Sequence, residues 1–295
     1  AQNSLGVCCE MGTGCERNPS AAVQWYRTAA ENGHPEAQCN LASCYSRGCG
    51  CEADAAAAAS WYRKAAEGGS LRGRHCLALM YEDGKGVPQN AAEAFALYSK
   101  NAAEGYAASQ YNLGLCYEYG RGCAHDMAQA IAWYQTAAEK GNASAETRCG
   151  MLYEFGQGVA QDYATAVEWY RKAMLHGDTT AMNNLGVCCE HGRGCERNEA
   201  EAVRLYRLAA DRGNARSAYN LGLYYEHRVD SQADAAQAYA WFVKAAEGGI
   251  ADAQFRCGEC CEFGIGCERD ASAAVSWYEK AAAQGHKAAQ NALQT

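Results

Sequence analysis

The sequence predicts an all-α fold: a right-handed solenoid of eight helix–turn–helix repeats, each of 36 residues, in a single domain over residues 1–295. Three observations carry that expectation. One period holds from end to end without insertion, which is the mark of stacked supersecondary units. Every period carries an aromatic position, preceded in six repeats by Trp, and closes on an invariant Gly. The composition, with 3 Pro and 31 Gly among 49% apolar residues, suits short helices packed closely through small side chains.

Each element follows from a column. Helix A is built around a leucine column at Leu5, Leu41, Leu77, Leu113, Cys149, Leu185, Leu221 and Cys257, followed always by Gly or Ala. In the second repeat Ala37, Leu41, Cys44 and Tyr45 recur at helical spacing, which predicts one buried face on a helix from Pro35 to Ser46. A Gly-x-Gly turn then leads to helix B, as at Gly48/Gly50 and Gly120/Gly122. Repeat seven replaces it with Arg228-Val229-Asp230, so an altered or wider turn is expected there.

An Asx residue opens helix B in every repeat, at Asn18, Asp54, Asn90, Asp126, Asp162, Asn198, Asp234 and Asp270, because its side chain accepts from a free amide of the first turn. An Ala column from Ala22 to Ala274 follows, where a methyl lets helices approach closely. Next comes the aromatic column, Tyr26, Tyr62, Tyr98, Tyr134, Tyr170, Tyr206, Phe242 and Tyr278. Gly33 and its seven counterparts end helix B, where only Gly adopts a left-handed conformation cheaply. Residues 286–295 repeat the start of helix A and predict a partial capping helix over the open core edge. The chain starts in the middle of a helix A, which predicts a truncated N-terminus.

The pattern A-x-x-x-L-G-x-x-Y-x-x-G-x-G-V-x-x-D-x-x-x-A-x-x-W-Y-x-x-A-A-x-x-G runs from Ala145 to Gly177 apart from Cys149 and Met174. It resembles the Sel-one-like repeat, a relative of the tetratricopeptide repeat, and the resemblance covers essentially the whole chain. It implies a curved superhelix of antiparallel helix pairs that acts as an adaptor or scaffold in protein complexes. It implies no chemistry.

Ten of the 18 cysteines form pairs seven apart: Cys8/Cys15, Cys44/Cys51, Cys116/Cys123, Cys188/Cys195 and Cys260/Cys267. The other three repeats have Cys in neither column. In an unbroken helix that spacing spans about 10.5 Å, too far for a disulfide, but the intervening turn can return the second Cys to the helix it left. An intra-repeat disulfide would stabilise each repeat by about 2–3 kcal/mol. Two alternatives stay open. The thiols can simply fill small apolar sites, as Met80, Val87, Leu152 and Val159 do, or Cys257, Cys260 and Cys261, on one helical face, can hold a soft metal. The cysteine-rich secreted members of the resembled family staple helix B to the next helix A, at positions where this chain has Ala29 or Ala30 and Ala37. Oxidised pairs would favour an extracellular or periplasmic location and reduced ones the cytoplasm.

By analogy with tetratricopeptide geometry, residues two before and two, five and six after the leucine column face a concave groove. Two before stand His75, Tyr111, Tyr219 and Phe255, and two after stand Leu79, Leu115, Met151 and Leu223. Five after come Glu118, Glu154, Glu190, Glu226 and Glu262, part of a Glu column broken only at Ser46, and six after come Tyr119, Phe155 and Phe263. Such a groove suits a basic or amphipathic peptide or loop. In the competing reading the Glu column is solvated charge near a helix end, where the dipole disfavours it, and the apolar column packs on the adjacent repeat.

A net charge of −8 argues against nucleic-acid or anionic-membrane partners. No apolar run reaches the roughly 18 residues that span a bilayer. The expected partner is therefore a protein or peptide, bound by a monomer. No His pairs with a Ser or Cys in a repeated arrangement, and the glycine turns lack the preceding strand of a phosphate cradle, so no catalytic residue, cofactor or metal is predicted. A secreted cysteine-rich effector-like protein, or a thiol-redox or metal-binding one, is the competing functional class.

Overall fold

The computed structural model describes residues 1–228 and 232–294, and every regular element among them is a helix. Two compact units emerge, Ala1–Ala145 and Glu146–Thr295. In chain order the first holds α1 (Gln2–Met11), α2 (Pro19–Glu31), α3 (Pro35–Arg47), α4 (Ala55–Glu67), α5 (Leu71–Asp83), α6 (Ala91–Ala103), α7 (Ala107–Tyr119) and α8 (Met127–Glu139). The unit boundary falls inside α9 (Ala143–Phe155). The second unit continues with α10 (Tyr163–Leu175), α11 (Thr179–His191), α12 (Glu199–Ala210), α13 (Ala215–Glu226), α14 (Gln232–Glu247), α15 (Ala251–Phe263), α16 (Ala271–Ala283) and α17 (Lys287–Ala292). Odd-numbered helices are helices A and even-numbered ones helices B. Within the units successive helices pack on one another, from α1 to α8 and from α10 to α17, the arrangement of a repeat solenoid.

The small residue after the leucine column is what lets A and B touch. A Cβ on Gly114, Gly150 or Gly186 would lie 2.5–2.6 Å from a carbon of the Tyr134, Tyr170 or Tyr206 ring. The ring therefore lies directly on the backbone of helix A, and Tyr26, Tyr98, Tyr134 and Tyr170 are wholly buried, Tyr26 in one cluster with Leu41, Tyr98 with Leu113, and Tyr170 with Leu185 and Leu221. Each such side chain contributes about 1.5–3 kcal/mol of hydrophobic stabilisation. The Ala column is buried too, from Ala22 to Ala274.

Both glycines of the A-to-B turn are left-handed, Gly48 at φ 67 and Gly50 at φ 76 for example. The first is the C-cap of helix A. The second has a reason the columns did not reveal: its missing Cβ would lie 2.2 Å from the Pro19 carbonyl oxygen at Gly50, 2.0 Å from Ala55 at Gly86 and 2.1 Å from Ala91 at Gly122. The turn thus seats on the first helical carbonyl of the preceding helix B. At the other junction Gln38, Gln110 and Gln254 each donate Nε2 to the carbonyl of Ala30, Ala102 or Ala246 at 3.1 Å, a second donor for a helix-end carbonyl that also accepts from the Gly33, Gly105 or Gly249 amide.

Seven of the eight Asx residues cap helix B as expected, Asn18 accepting from the Ala21 amide at 3.0 Å and Asp126 from Gln129 at 3.0 Å. Asp234 is the correction: α14 reaches back to Gln232, so Asp234 lies within the first turn rather than ahead of it. A carboxylate there still complements the positive end of the helix dipole. Of the unusual segment preceding it, Val229 and Asp230 lie outside the described residues. At the C-terminal end α17 is capped by His286, whose Nδ1 accepts from the Ala289 amide at 3.2 Å, and it buries Ala289 against Tyr278 and Ala281.

Candidate functional site

The candidate partner-binding residues all lie on helices A, at fixed offsets from buried leucine-column positions, so each side chain is set by a rigid element. They divide by burial. In the first unit Leu79 and Tyr119 are exposed, Tyr119 by 55%. In the second, Phe155 and Phe263 are 58% and 65% exposed, large apolar surface at the ends of α9 and α15. Leu115, Met151 and Leu223 are half-buried. Met151 and Leu223 lean on the hydrophobic clusters of the second unit, the packing role of the competing reading.

The residues two before the leucine column are partly committed to the fold. The rings of Tyr111, Tyr219 and Phe255 stand 5.7, 5.9 and 5.6 Å from those of Tyr134, Phe242 and Tyr278, in tilted contact with the aromatic column. His75 does the same with Tyr98 at 5.7 Å and places Nδ1 2.9 Å from Ser109 Oγ. Burial pushes its pKa down to about 4, so the ring is neutral at physiological pH.

The glutamates have partners that their column alone does not reveal. The tyrosine 16 residues on donates its hydroxyl to one carboxylate oxygen in six repeats, in Tyr26–Glu10, Tyr98–Glu82, Tyr134–Glu118, Tyr170–Glu154, Tyr206–Glu190 and Tyr278–Glu262, at 2.5–2.9 Å. Burial first, then the facing carboxylate, raises the pKa of Tyr26, Tyr98, Tyr170, Tyr206 and Tyr278, so they stay protonated as donors. The second oxygen of Glu10 meets Arg47 at 3.1 Å and that of Glu82 meets Arg121 at 2.9 Å. Repeat seven, whose ring is Phe242, instead sets Glu226 3.7 Å from Arg256. The signal was in the sequence: the glutamate is missing at Ser46 and the hydroxyl at Phe242, and the two columns otherwise coincide.

The cysteines depart from the expected pairing. All 18 are free thiols, including Cys8, Cys15, Cys44, Cys51, Cys116, Cys123, Cys188, Cys195, Cys260 and Cys267. The turn does return the chain, but in three pairs the second thiol meets a carbonyl: Cys15 Sγ lies 3.6 Å from Cys8 O, Cys51 Sγ 4.0 Å from Cys49 O and Cys123 Sγ 3.5 Å from Cys116 O. In four of the pairs the first cysteine is buried in the core, and burial pushes the thiols of Cys44, Cys116, Cys188 and Cys260 up to about 12.

Two of the histidines, His34 and His286, cap helices A, and His176 pairs with the buried Glu146 at 2.8 Å. Among the described residues no group of three or more His, Cys, Asp or Glu side chains is placed to hold a metal ion, and no helix is long and apolar enough to cross a membrane.

The Sel1 repeat family model matches residues 1–34, 35–70, 77–106, 107–142, 143–178, 179–214, 215–250 and 251–286. Among solved structures the chain is similar to a protective antigen of uropathogenic Escherichia coli with an SLR fold, at 35% identity and TM-score 0.73, over 99% of this chain and 62% of that one. It thus spans less than two thirds of that protein. A Sel1 repeat protein from Oxalobacter formigenes is 30% identical with TM-score 0.73, over 99% of this chain and 85% of the other. Yeast Tom70 shares the fold alone, at 12% identity and TM-score 0.53 over 93% of this chain and 59% of that one. A search of curated proteins finds no match.

Proposed function

Because the chain belongs to the Sel1 repeat family, we propose that it is a protein-binding scaffold whose helices A grip an apolar, basically flanked segment of another polypeptide. Sel1 and tetratricopeptide-like repeats generally serve as interaction scaffolds, and nothing in the arrangement above calls for chemistry. The observation that carries the reading is the exposure of Phe155 and Phe263, 58% and 65%, at one offset on a rigid lattice. Large rings left in water at regular places are unusual for a surface without a partner. Partly exposed Leu79, Tyr111, Leu115, Tyr119, Met151, Tyr219, Leu223 and Phe255 extend the same apolar rows within their units.

The glutamates set the charge of the partner. Glu118, Glu154, Glu190 and Glu262, each accepting from a tyrosine hydroxyl, and Glu226 beside Arg256 add carboxylates to these rows, and the net charge of −8 steers basic segments toward the protein. Affinity capture compares wild type with a Phe155→Ser/Phe263→Ser variant, whose exposed sites leave the core intact. The variant is expected to bind its captured partner at least 10-fold more weakly, a loss of about 1.4 kcal/mol or more, and binding should weaken as salt rises. Equal recovery of every partner by both proteins would remove the assignment.

A further inference from the structure

In three repeats the tyrosine near the end of helix A gives way to a second cysteine, forming Cys8-Cys9, Cys188-Cys189 and Cys260-Cys261. The same three repeats carry a cysteine six residues beyond the new one, at Cys15, Cys195 and Cys267. Repeats two and four keep Tyr45 and Tyr117, and there the returning thiol finds only a carbonyl, Cys51 that of Cys49 and Cys123 that of Cys116. Where cysteine replaces tyrosine the two thiols meet. Cys195 Sγ lies 3.8 Å from Cys189 Sγ, and Cys15 and Cys267 lie near enough to Cys9 and Cys261 that, after burial, the neighbouring thiol raises their pKa.

The backbone holds each pair in place. The amides of Asn18, Asn198 and Asp270 donate to the carbonyls of Cys9, Cys189 and Cys261 at 2.8 Å. This ties the far end of the turn to the helix that carries the first thiol, while the glycines fix the turn that carries the second. Bringing sulfurs from 3.8 Å to the bonded length of about 2.05 Å takes side-chain rotation within that frame.

We propose that Cys9/Cys15, Cys189/Cys195 and Cys261/Cys267 are three reversible dithiol–disulfide sites, oxidised by exchange with a small-molecule disulfide. The more accessible member reacts first, since Cys15 is exposed and Cys195 and Cys267 are partly so, whereas Cys189 and Cys261 are buried. The Cys195 thiol gives its proton to solvent, and its sulfur attacks one sulfur of R–S–S–R. A Cys195–S–S–R mixed disulfide forms and RS⁻ leaves, taking up a proton. Cys189 then loses its proton and attacks the Cys195 sulfur, so that the Cys189–Cys195 bond forms and the second RS⁻ departs. Two protein thiols are oxidised and one small disulfide is reduced to two thiols.

The test uses the full chain, reduced, treated with oxidised glutathione, blocked with an alkylating agent and mapped by mass spectrometry after proteolysis. Six of the 18 thiols should disappear into three cross-links. Cys189→Tyr takes the residue that repeats two and four tolerate, and should lose the repeat-six cross-link and leave a glutathione adduct on Cys195. Cys188→Leu, which copies Leu152 of repeat five, should keep the cross-link. Circular dichroism confirms that both variants fold, and Cys195→Val, which introduces the side chain found at Val87 and Val159, provides an independent loss of the same link. A cross-link that survives in Cys189→Tyr and vanishes in Cys188→Leu would overturn the pairing. Outer cysteines that stop at glutathione adducts, or 18 thiols that all remain free, would overturn the sites altogether.

Discussion

Tyr170 and Glu154 form a pair whose loss can be read directly, because Glu154 is buried and the tyrosine hydroxyl donates to it. Tyr170→Phe copies the ring of Phe242 and so packs without strain, yet it leaves a buried carboxylate short of a donor. Urea unfolding should show a loss of about 1.5–3 kcal/mol. His75 gives a second, pH-dependent prediction. Its native pKa of about 4 lies below the ordinary 6.5, so the folded state holds fewer protons and the contribution is complete above pH 6.5. It is lost as pH falls from 6.5 toward 4, by about 2–3 kcal/mol in total. In His75→Tyr, the residue found at Tyr111 and Tyr219, the wild-type fall in urea midpoint between pH 7.5 and 4.5 should shrink by that amount. At this scale the sequence was only half legible. The glutamate column was visible, but its tie to a ring 16 residues away needed two columns read jointly. Among the cysteines, a vicinal pair made spacings of six and seven equally available, and only the direction of each side chain separates them.

Helices and turns were the most legible level, because their ends are written in residue types with strong backbone preferences. The left-handed Gly33 and Gly48 and the Asx caps all fall where the columns put them. Asp234 departs from the rule because a carboxylate is welcome both ahead of a helix and inside its first turn, so an Asp alone does not fix the boundary. What the columns hid was the second purpose of the Gly-x-Gly turn. Gly122 has φ 73 and a carbonyl where its Cβ would go, so Gly122→Ala forces apart α6 and the turn that follows α7. A loss of about 2–4 kcal/mol is expected from strain and displaced packing, against about 1 kcal/mol for Gly33→Ala, which meets nothing within 4 Å. Thermal unfolding of the two variants side by side checks the difference.

For the molecule as a whole, periodicity predicted the all-α repeat fold, since one set of local contacts is copied eight times. A partner left no comparable trace, because the side chains proposed to meet it include the offsets that vary from repeat to repeat, such as His75, Tyr111, Tyr219 and Phe255, while the repeated columns hold the fold. Terminal repeats in such arrays need covering, and α17 supplies that cover at one end. A chain stopped after Gly285 bares Tyr278 and Ala281, and its denaturant midpoint should fall by an amount equivalent to about 1–3 kcal/mol. The seating of each second glycine on its neighbour's carbonyl also makes the repeat a cassette. If residues 35–70 are spliced out, His34 is joined to Leu71, and Gly86 meets the Pro19 carbonyl in place of the Ala55 one that it rests on now. A chain shortened by one whole cassette should stay helical and melt in a single step, whereas removal of half a cassette leaves every later joint out of phase.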